Sequence, residues 1–312
     1  MKLIGVIPAR YASTRMPGKP LADILGKPMI WWVYQEAKKC KKLDDVLIAT
    51  DDERIADACK TYDMRYIMTS PDHDTPTGRI WEVSTKVEAD LYLQIMGDEP
   101  LINVKAFDLI LPDTLPEDPY YVAVLTNRME HPADVIDFSN QKVVTNAARE
   151  ILMISRSPIP YPKGTLDFEY EKVTGIQLYS RRALAFYHET PKSILEKAEE
   201  NDMMRFVENG HKVHAIVSPY KTLSGAVKNE KGEAVASAYI TLASADGVEY
   251  YSETDAEGAF SMDVIKYGKE YTLTVSHPSY DAYTHPETIS LADGDISGLA
   301  ITLTKTYTFS GV

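Results

Sequence analysis

Cysteine is scarce: the chain of 312 residues has two, Cys40 and Cys59. Both fall in helix-like segments, and neither belongs to a CxxC or a Cys/His cluster. That pattern argues against a disulfide scaffold or a thiolate zinc site and leaves two reduced structural thiols. Basic charge is also in deficit. Lys and Arg number 33 against 46 Asp and Glu, a net charge of −13. Such a balance argues against a general nucleic-acid or membrane-surface binder, though not against one local basic site for phosphate. No apolar run approaches the ~20 residues of a membrane span. The opening "MKLIGVIPAR" breaks at Pro8 into charge, unlike a secretory leader. A cytoplasmic protein is expected.

What is present is an alternation. The length suits two domains of ~100–200 residues. "KLIGVI", "DVLIAT", "RYIMTS" and "ADLYLQIM" read as strands. "MIWWVYQEAKKCKK", "DDERIADACKTY" and "GRIWEVSTKV" between them read as helices. Strand and helix in turn imply an α/β unit, a mostly parallel sheet with helices on both faces. Ligands of such sheets sit at the carboxyl ends of the strands. The loops starting at Pro8, Thr50, Thr69 and Gly97 all fall at that edge. Further on, "SRSPIPYPK" is a proline-punctuated loop and "VTGIQLYSRRALAFYHE" a strand leading into a helix. "SILEKAEENDMMRFVENG" reads as one helix stopped at Gly210, and "HKVHAIVSP" as a strand.

After about Tyr220 the helical period disappears. Short runs rich in Thr, Val, Ile and Tyr alternate with "NEKG", "ADG", "DAEG" and "YGK" turns, the pattern of an all-β sandwich. "TLSGAV" at 222–227 recurs as "TFSGV" at 308–312, which reads as the first strand of a further copy. The expected division is residues 1–220, 221–306 and the start of a truncated repeat at 307–312.

The loop "IPARYASTRMPGKPL" carries the chemistry. Arg10, Arg15 and Lys19 leave a strand end and surround Pro17-Gly18. Strand, glycine-containing loop, then helix is how backbone N–H groups and cations are aimed at phosphate. The loop is neither a GxxxxGK[ST] nor a GxGxxG turn. A solvated basic loop is the plainer alternative, but three cations on one strand end favour a site. In "GDEP", Asp98 ends a buried strand, where a carboxylate facing a basic loop can hold Mg²⁺ bridged to phosphate; a turn or capping acid is the alternative. Asp51 and Asp52 read first as helix caps. His73, a loop histidine among acids, reads more readily as a surface residue than as a catalyst.

Together these pieces resemble a family. "IPARYASTRMPGKPLADILGKPMI", "ATDDERIADAC", "MTSPDHDTPTGR", "GDEPLI", "SRSPIPY", "GIQLYSRRAL" and "ILEKAEENDMMRFVENGHKVHAIV" are similar, in order, to the CMP-Kdo synthetases (3-deoxy-manno-octulosonate cytidylyltransferases), over residues 1 to about 218. The resemblance implies the nucleotide-diphospho-sugar transferase type of fold. It implies transfer of CMP from CTP to the anomeric hydroxyl of an acidic sugar, Kdo first, for lipopolysaccharide or capsule synthesis, with Mg²⁺ and release of pyrophosphate. It also implies a homodimer with "SILEKAEENDMMRFVENG" near the subunit contact. By motif, Arg10, Arg15 and Lys19 resemble the triphosphate clamp. Pro8, Ala9 and Arg10, with Thr69, Ser70 and Arg79, resemble the nucleotide-recognition edge. Asp98 resembles the magnesium ligand, and the resemblance implies Arg10, Lys19 and Asp98 as the catalytic set.

Three departures accompany it. The family's HxSGTDR or HxSGTER is "HDTPTGR" here, so Pro76 and Gly78 replace a glycine and an acid. Met96 replaces a sugar-contacting glutamine, and a thioether cannot make an amide's hydrogen bonds. A GVDTPEDL-like segment with a second metal-ligand aspartate gives way to "SPYKTLSGAV". Two alternatives therefore stand beside the first reading. One is an impaired or inactive chain that binds CTP; the other is an enzyme for a sialic-acid-like or phosphonate acceptor. Residues 222–306, through "LSGAVKNEKGEAVASAYITL", "TDAEGAFSMDV" and "GKEYTLTVSHPSYDAY", resemble the carboxypeptidase-regulatory-like (prealbumin-like) β-sandwich, a structural or adhesive module. Asp255 and Glu257 read there as turn formers.

Overall fold

The computed structural model describes residues 1–12, 17–98, 104–129, 132–164, 168–218, 221–245, 247, 249–264, 270–291 and 296–305. Arg15, Glu99, Pro100 and the repeat at 307–312 lie outside the described residues. The chain divides into two compact units, Met1–Ser218 and Pro219–Val312.

The first unit opens with β1 (Leu3–Ala9), a small hairpin of β2 (Asp23–Ile24) and β3 (Lys27–Pro28), α1 (Met29–Ala37), β4 (Asp45–Thr50), α2 (Glu53–Thr61), β5 (Tyr66–Met68), α3 (Pro76–Lys86) and β6 (Leu91–Gln94). It continues with α4 (Phe107–Ile110), β7 (Val122–Arg128), α5 (Pro132–Ile136), β8 (Lys142–Thr145), β9 (Ile151–Ser155), β10 (Glu171–Ser180), α6 (Arg181–Glu189), α7 (Ile194–Glu199), α8 (Met203–Glu208) and β11 (Val213–Val217). The sheet runs β11-β7-β10-β6-β1-β4-β5, with β8 on β10 and β9 on β8. β1 pairs in parallel with β4 and β6, and β4 with β5. β10 runs antiparallel between β6 and β7. The sheet is thus mixed, with its parallel half under the site.

Burial follows from composition. β1 and β4 are almost wholly buried, as strands covered on both faces must be. Helix α2 buries Ile55, Ala56 and Cys59 on one stripe, and Asp52 caps it by accepting from the Arg54 N–H at 2.9 Å. Both cysteines are free and buried. Burial raises both thiols, that of Cys59 to about 11, so they are packing groups rather than nucleophiles.

The single helix expected over 193–210 is two short ones. Glu200 turns left-handed at φ 50° between them, and the Asn201 carboxamide oxygen takes the Met203 N–H at 2.9 Å. A side chain that competes for backbone donors in this way ends a helix. The break lets α8 fold back so that Arg205 meets Glu196, at 2.7 Å from Nε, with both side chains under 7% exposed.

The second unit holds β12 (Lys221–Asn229), β13 (Tyr239–Ser244), β14 (Glu249–Glu253), β15 (Ala259–Val264), β16 (Glu270–Ser276), β17 (Tyr283–Thr284), β18 (Ile289–Ser290) and β19 (Ile296–Leu303). They form two sheets, β15-β12-β19 and β14-β13-β16-β17, with β18 on β16. Alternation sets the core: Tyr271, Leu273 and Val275 of β16 are buried while Glu270, Thr272 and Ser276 are exposed. The Asp255 carboxylate accepts the N–H groups of Glu257 and Ala259, a turn-forming role. Among the described residues no helix is long and apolar enough to cross a membrane.

Candidate active site

The carboxyl ends of β1 and β6 and the start of α3 enclose a cavity of about 240 Å³. Each wall has a local cause. The chain leaving β1 is held at its base by Tyr11. The Tyr11 carbonyl accepts the Gly18 N–H at 2.8 Å, and its ring lies under the Arg54 guanidinium, 3.2 Å from the centroid. Gly18 sits at φ 73°, against the Tyr11 ring, where a side chain would be strained and would collide. The tight turn Lys19–Leu21 follows and brings Lys19 Nζ to 2.7 Å from Asp98 Oδ2. Asp98 arrives from β6 through Gly97. A Cβ there would lie 3.0 Å from the Pro8 carbonyl, so glycine permits the close approach of the two strand exits.

The third wall is the start of α3. Thr75 caps the helix by accepting from the Gly78 N–H at 3.1 Å. Arg79, one turn on, is 3% exposed. Its guanidinium donates to Asp51 Oδ2 at 2.8 Å and to the Thr69 hydroxyl. Thr69 in turn donates to the Thr50 carbonyl at 3.1 Å. The Ser70 N–H donates to Glu82 at 2.7 Å, and the Ser70 hydroxyl bonds Asp72. Met96 closes the floor. It lies on Gly175 of β10, where an added Cβ would come within 2.1 Å of its Cγ. Behind it, 3% exposed, Gln94 donates from Nε2 to Gln177 Oε1 at 3.1 Å.

Of the residues singled out in the sequence, Pro8, Ala9, Arg10, Lys19, Arg79 and Asp98 line this one cavity. Thr69 and Ser70 do not; they hold Arg79 and Glu82 from behind. Arg15 is outside the described residues. Asp51 corrects the capping expectation: Asp52 caps α2, whereas Asp51 is the half-buried counter-charge of the buried Arg79. His73 corrects another, because it lines the cavity with its side chain 15% exposed. Nothing in the sequence near His73 marks its partner, Glu82, which sits two turns into α3 and looks like half of a surface pair with Lys86.

Among the described residues lining the cavity, Arg10, Lys19 and Arg79 stand against Asp74 and Asp98. Asp74 is held below the usual carboxylate range chiefly by its hydrogen bond from Lys192. Among the described residues no group of three or more His, Cys, Asp or Glu side chains converges as a metal cluster. Asp98 alone, at a cavity edge beside cations, fits a hard divalent cation that takes most of its oxygens from phosphate and water.

The cytidylyltransferase family profile matches residues 4–214. The chain belongs to that family. The carboxypeptidase regulatory-like domain profile matches residues 222–304. Among curated cytidylyltransferases, the 3-deoxy-manno-octulosonate cytidylyltransferase of Escherichia coli is 41% identical over 209 residues, 67% of this chain and 85% of the relative. That of Solibacter usitatus is 38% identical over 223 residues, 71% of this chain and 88% of the relative. A solved structure of CMP:2-keto-3-deoxy-manno-octonic acid synthetase complexed with CTP superposes with a TM-score of 0.65 at 40% identity. It covers 70% of this chain and 90% of that one.

Proposed function

We propose that the first unit is a CTP-dependent cytidylyltransferase that transfers CMP to the anomeric hydroxyl of 3-deoxy-D-manno-octulosonate, releasing pyrophosphate. The observation that carries this reading is one cavity lined by Arg10, Lys19, Arg79 and Asp98, in a chain 40% identical to a synthetase solved with CTP. An anionic acceptor attacking an anionic phosphate needs charge neutralisation and in-line positioning more than covalent help. Arg10 and Lys19, with Arg15, supply fixed positive charge for the triphosphate. The backbone of Pro8 and Ala9 and the buried Arg79 form the nucleotide edge, with Thr69 and Ser70 as its support.

Asp98 would hold the divalent cation, Mg²⁺ in our reading, which when bound supplies positive charge to the phosphate oxygens. Lys19 pairs with Asp98 at 2.7 Å, which sets its ammonium beside the carboxylate that would hold the cation. A homodimer is supported by apolar side chains left at the surface of this unit, Ile136, Phe138, Tyr161 and Ile194. A cytoplasmic location suits an enzyme that consumes CTP. The β-sandwich, 221–306, is proposed as an appended non-catalytic module. Pyrophosphate release from CTP, Mg²⁺ and Kdo tests the reading. CTP binding without release at high protein would reduce the chain to a nucleotide binder.

A further inference from the structure

One cavity-lining group is used by none of these roles. His73 Nε2 lies 2.6 Å from Glu82 Oε2, with the two side chains 15% and 16% exposed. Burial by itself would raise the Glu82 carboxyl. Hydrogen bonds from Lys86, the Ser70 N–H and His73 outweigh it and hold the group at about 2. Glu82 is therefore an anion at any working pH. An imidazole facing such an anion through Nε2 carries its proton there, which leaves the lone pair on Nδ1. Among the described residues no group bonds Nδ1. That edge of the ring faces α3 at Gly78, where a Cβ would come to 3.2 Å. Glycine at 78 keeps a side chain off that edge.

The rest of the surroundings are committed elsewhere. Asp74 pairs with Lys192, Asp72 with Ser70, Arg79 with Asp51, and Lys86 with Glu82 itself. His188 stacks on Trp81, whose edge faces His73 at 6.3 Å. Across the cavity stand Arg10, Lys19 and Asp98, the last two paired. Among the described residues lining the cavity, His73 is the one imidazole.

We propose that His73 is the general base of the transfer, with Glu82 as the positioning residue that orients its ring. The proposal rests on the cytidylyltransferase reading above. Nδ1 takes the proton of the acceptor's anomeric hydroxyl. The anomeric oxygen forms its bond to the α-phosphorus of CTP, and the bond from that phosphorus to the bridging oxygen breaks. Pyrophosphate leaves with that electron pair.

The test measures kcat/KM for Kdo against pH at saturating CTP and Mg²⁺, in the full chain and in two variants. H73Q should lose about 10²–10⁴-fold in kcat. It should keep its melting temperature and its KM for CTP, and it should lose the acid limb of the profile. E82Q should keep the limb but move it to lower pH, because the imidazolium loses its counter-charge. An H73Q within about threefold of wild type, or one that keeps the limb, overturns the proposal. Should H73Q melt early, E82Q decides, and an unmoved limb overturns it. Absence of wild-type turnover removes the parent reading and this one together, whereas active wild type with indifferent H73Q removes this one alone.

Discussion

Asp51→Asn tests the buried frame of the nucleotide edge. Arg79 and Asp51 meet at 2.8 Å with side chains 4% and 15% exposed. At an effective dielectric constant of about 20 their gross attraction is about 6 kcal/mol. Desolvation offsets much of that while both are present. Removing one partner, however, strands a buried guanidinium, at a cost of about 3 kcal/mol. The Thr69 hydroxyl still accepts from Arg79, which keeps the figure at the lower end. For a unit of this size the loss corresponds to a melting-temperature drop of roughly 6–12 °C. A double-mutant cycle with Arg79→Ala, followed by thermal unfolding and by CTP binding, separates the two effects. Asp51→Asn alone should also weaken CTP binding by about tenfold, because Arg79 is no longer held in the cavity wall. The reasoning is refuted if Asp51→Asn melts within 2 °C of wild type, or if the two changes add without coupling.

Other outcomes follow from the same geometry. Lys19→Ala and Asp98→Asn should each cut turnover by about 10²-fold or more, yet shift stability by less than about 1 kcal/mol, since the pair is about 40% exposed; steady-state kinetics beside melting curves check both. Glu82, at about 2 in the folded chain, has a lower pKa than it would unfolded. Its stabilisation is therefore complete above about pH 5 and is lost as pH falls towards 2, by at most about 3 kcal/mol. Denaturant titrations across that window should be visibly flatter for E82Q. Gly175→Ala should drive Met96 off β10 and into the cavity, raising KM for the acceptor several-fold while KM for CTP holds.

The sequence made the parallel half of the sheet legible because each strand and helix there keeps its own period, and the loops at the carboxyl edge carry unusual chemistry. The antiparallel direction of β10 was not legible, because it is set by pairing with β6 and β7, strands distant in the chain. β7, β8 and β9 went unassigned, since their short runs carry no clean period. The break at Glu200 escaped because Asn201 ends the helix with a side-chain bond, against the propensity of the residues around it. Within the site, Pro8, Ala9, Arg10, Lys19, Arg79 and Asp98 came from the motifs. Asp51 and Asp52 could not be told apart as neighbours, since their different jobs are decided by a residue on α3. His73 and Glu82 meet only because α3 folds back over the loop that precedes it. Met96 stood out in the sequence, but its seat on Gly175 joins two strands distant in the chain.

The central claim is chemical, and pyrophosphate release by the purified full chain with CTP, Mg²⁺ and Kdo tests it most directly. The account predicts release that requires all three and that Asp98→Asn abolishes. CTP bound with ordinary affinity, and no pyrophosphate above background at high protein, would contradict it.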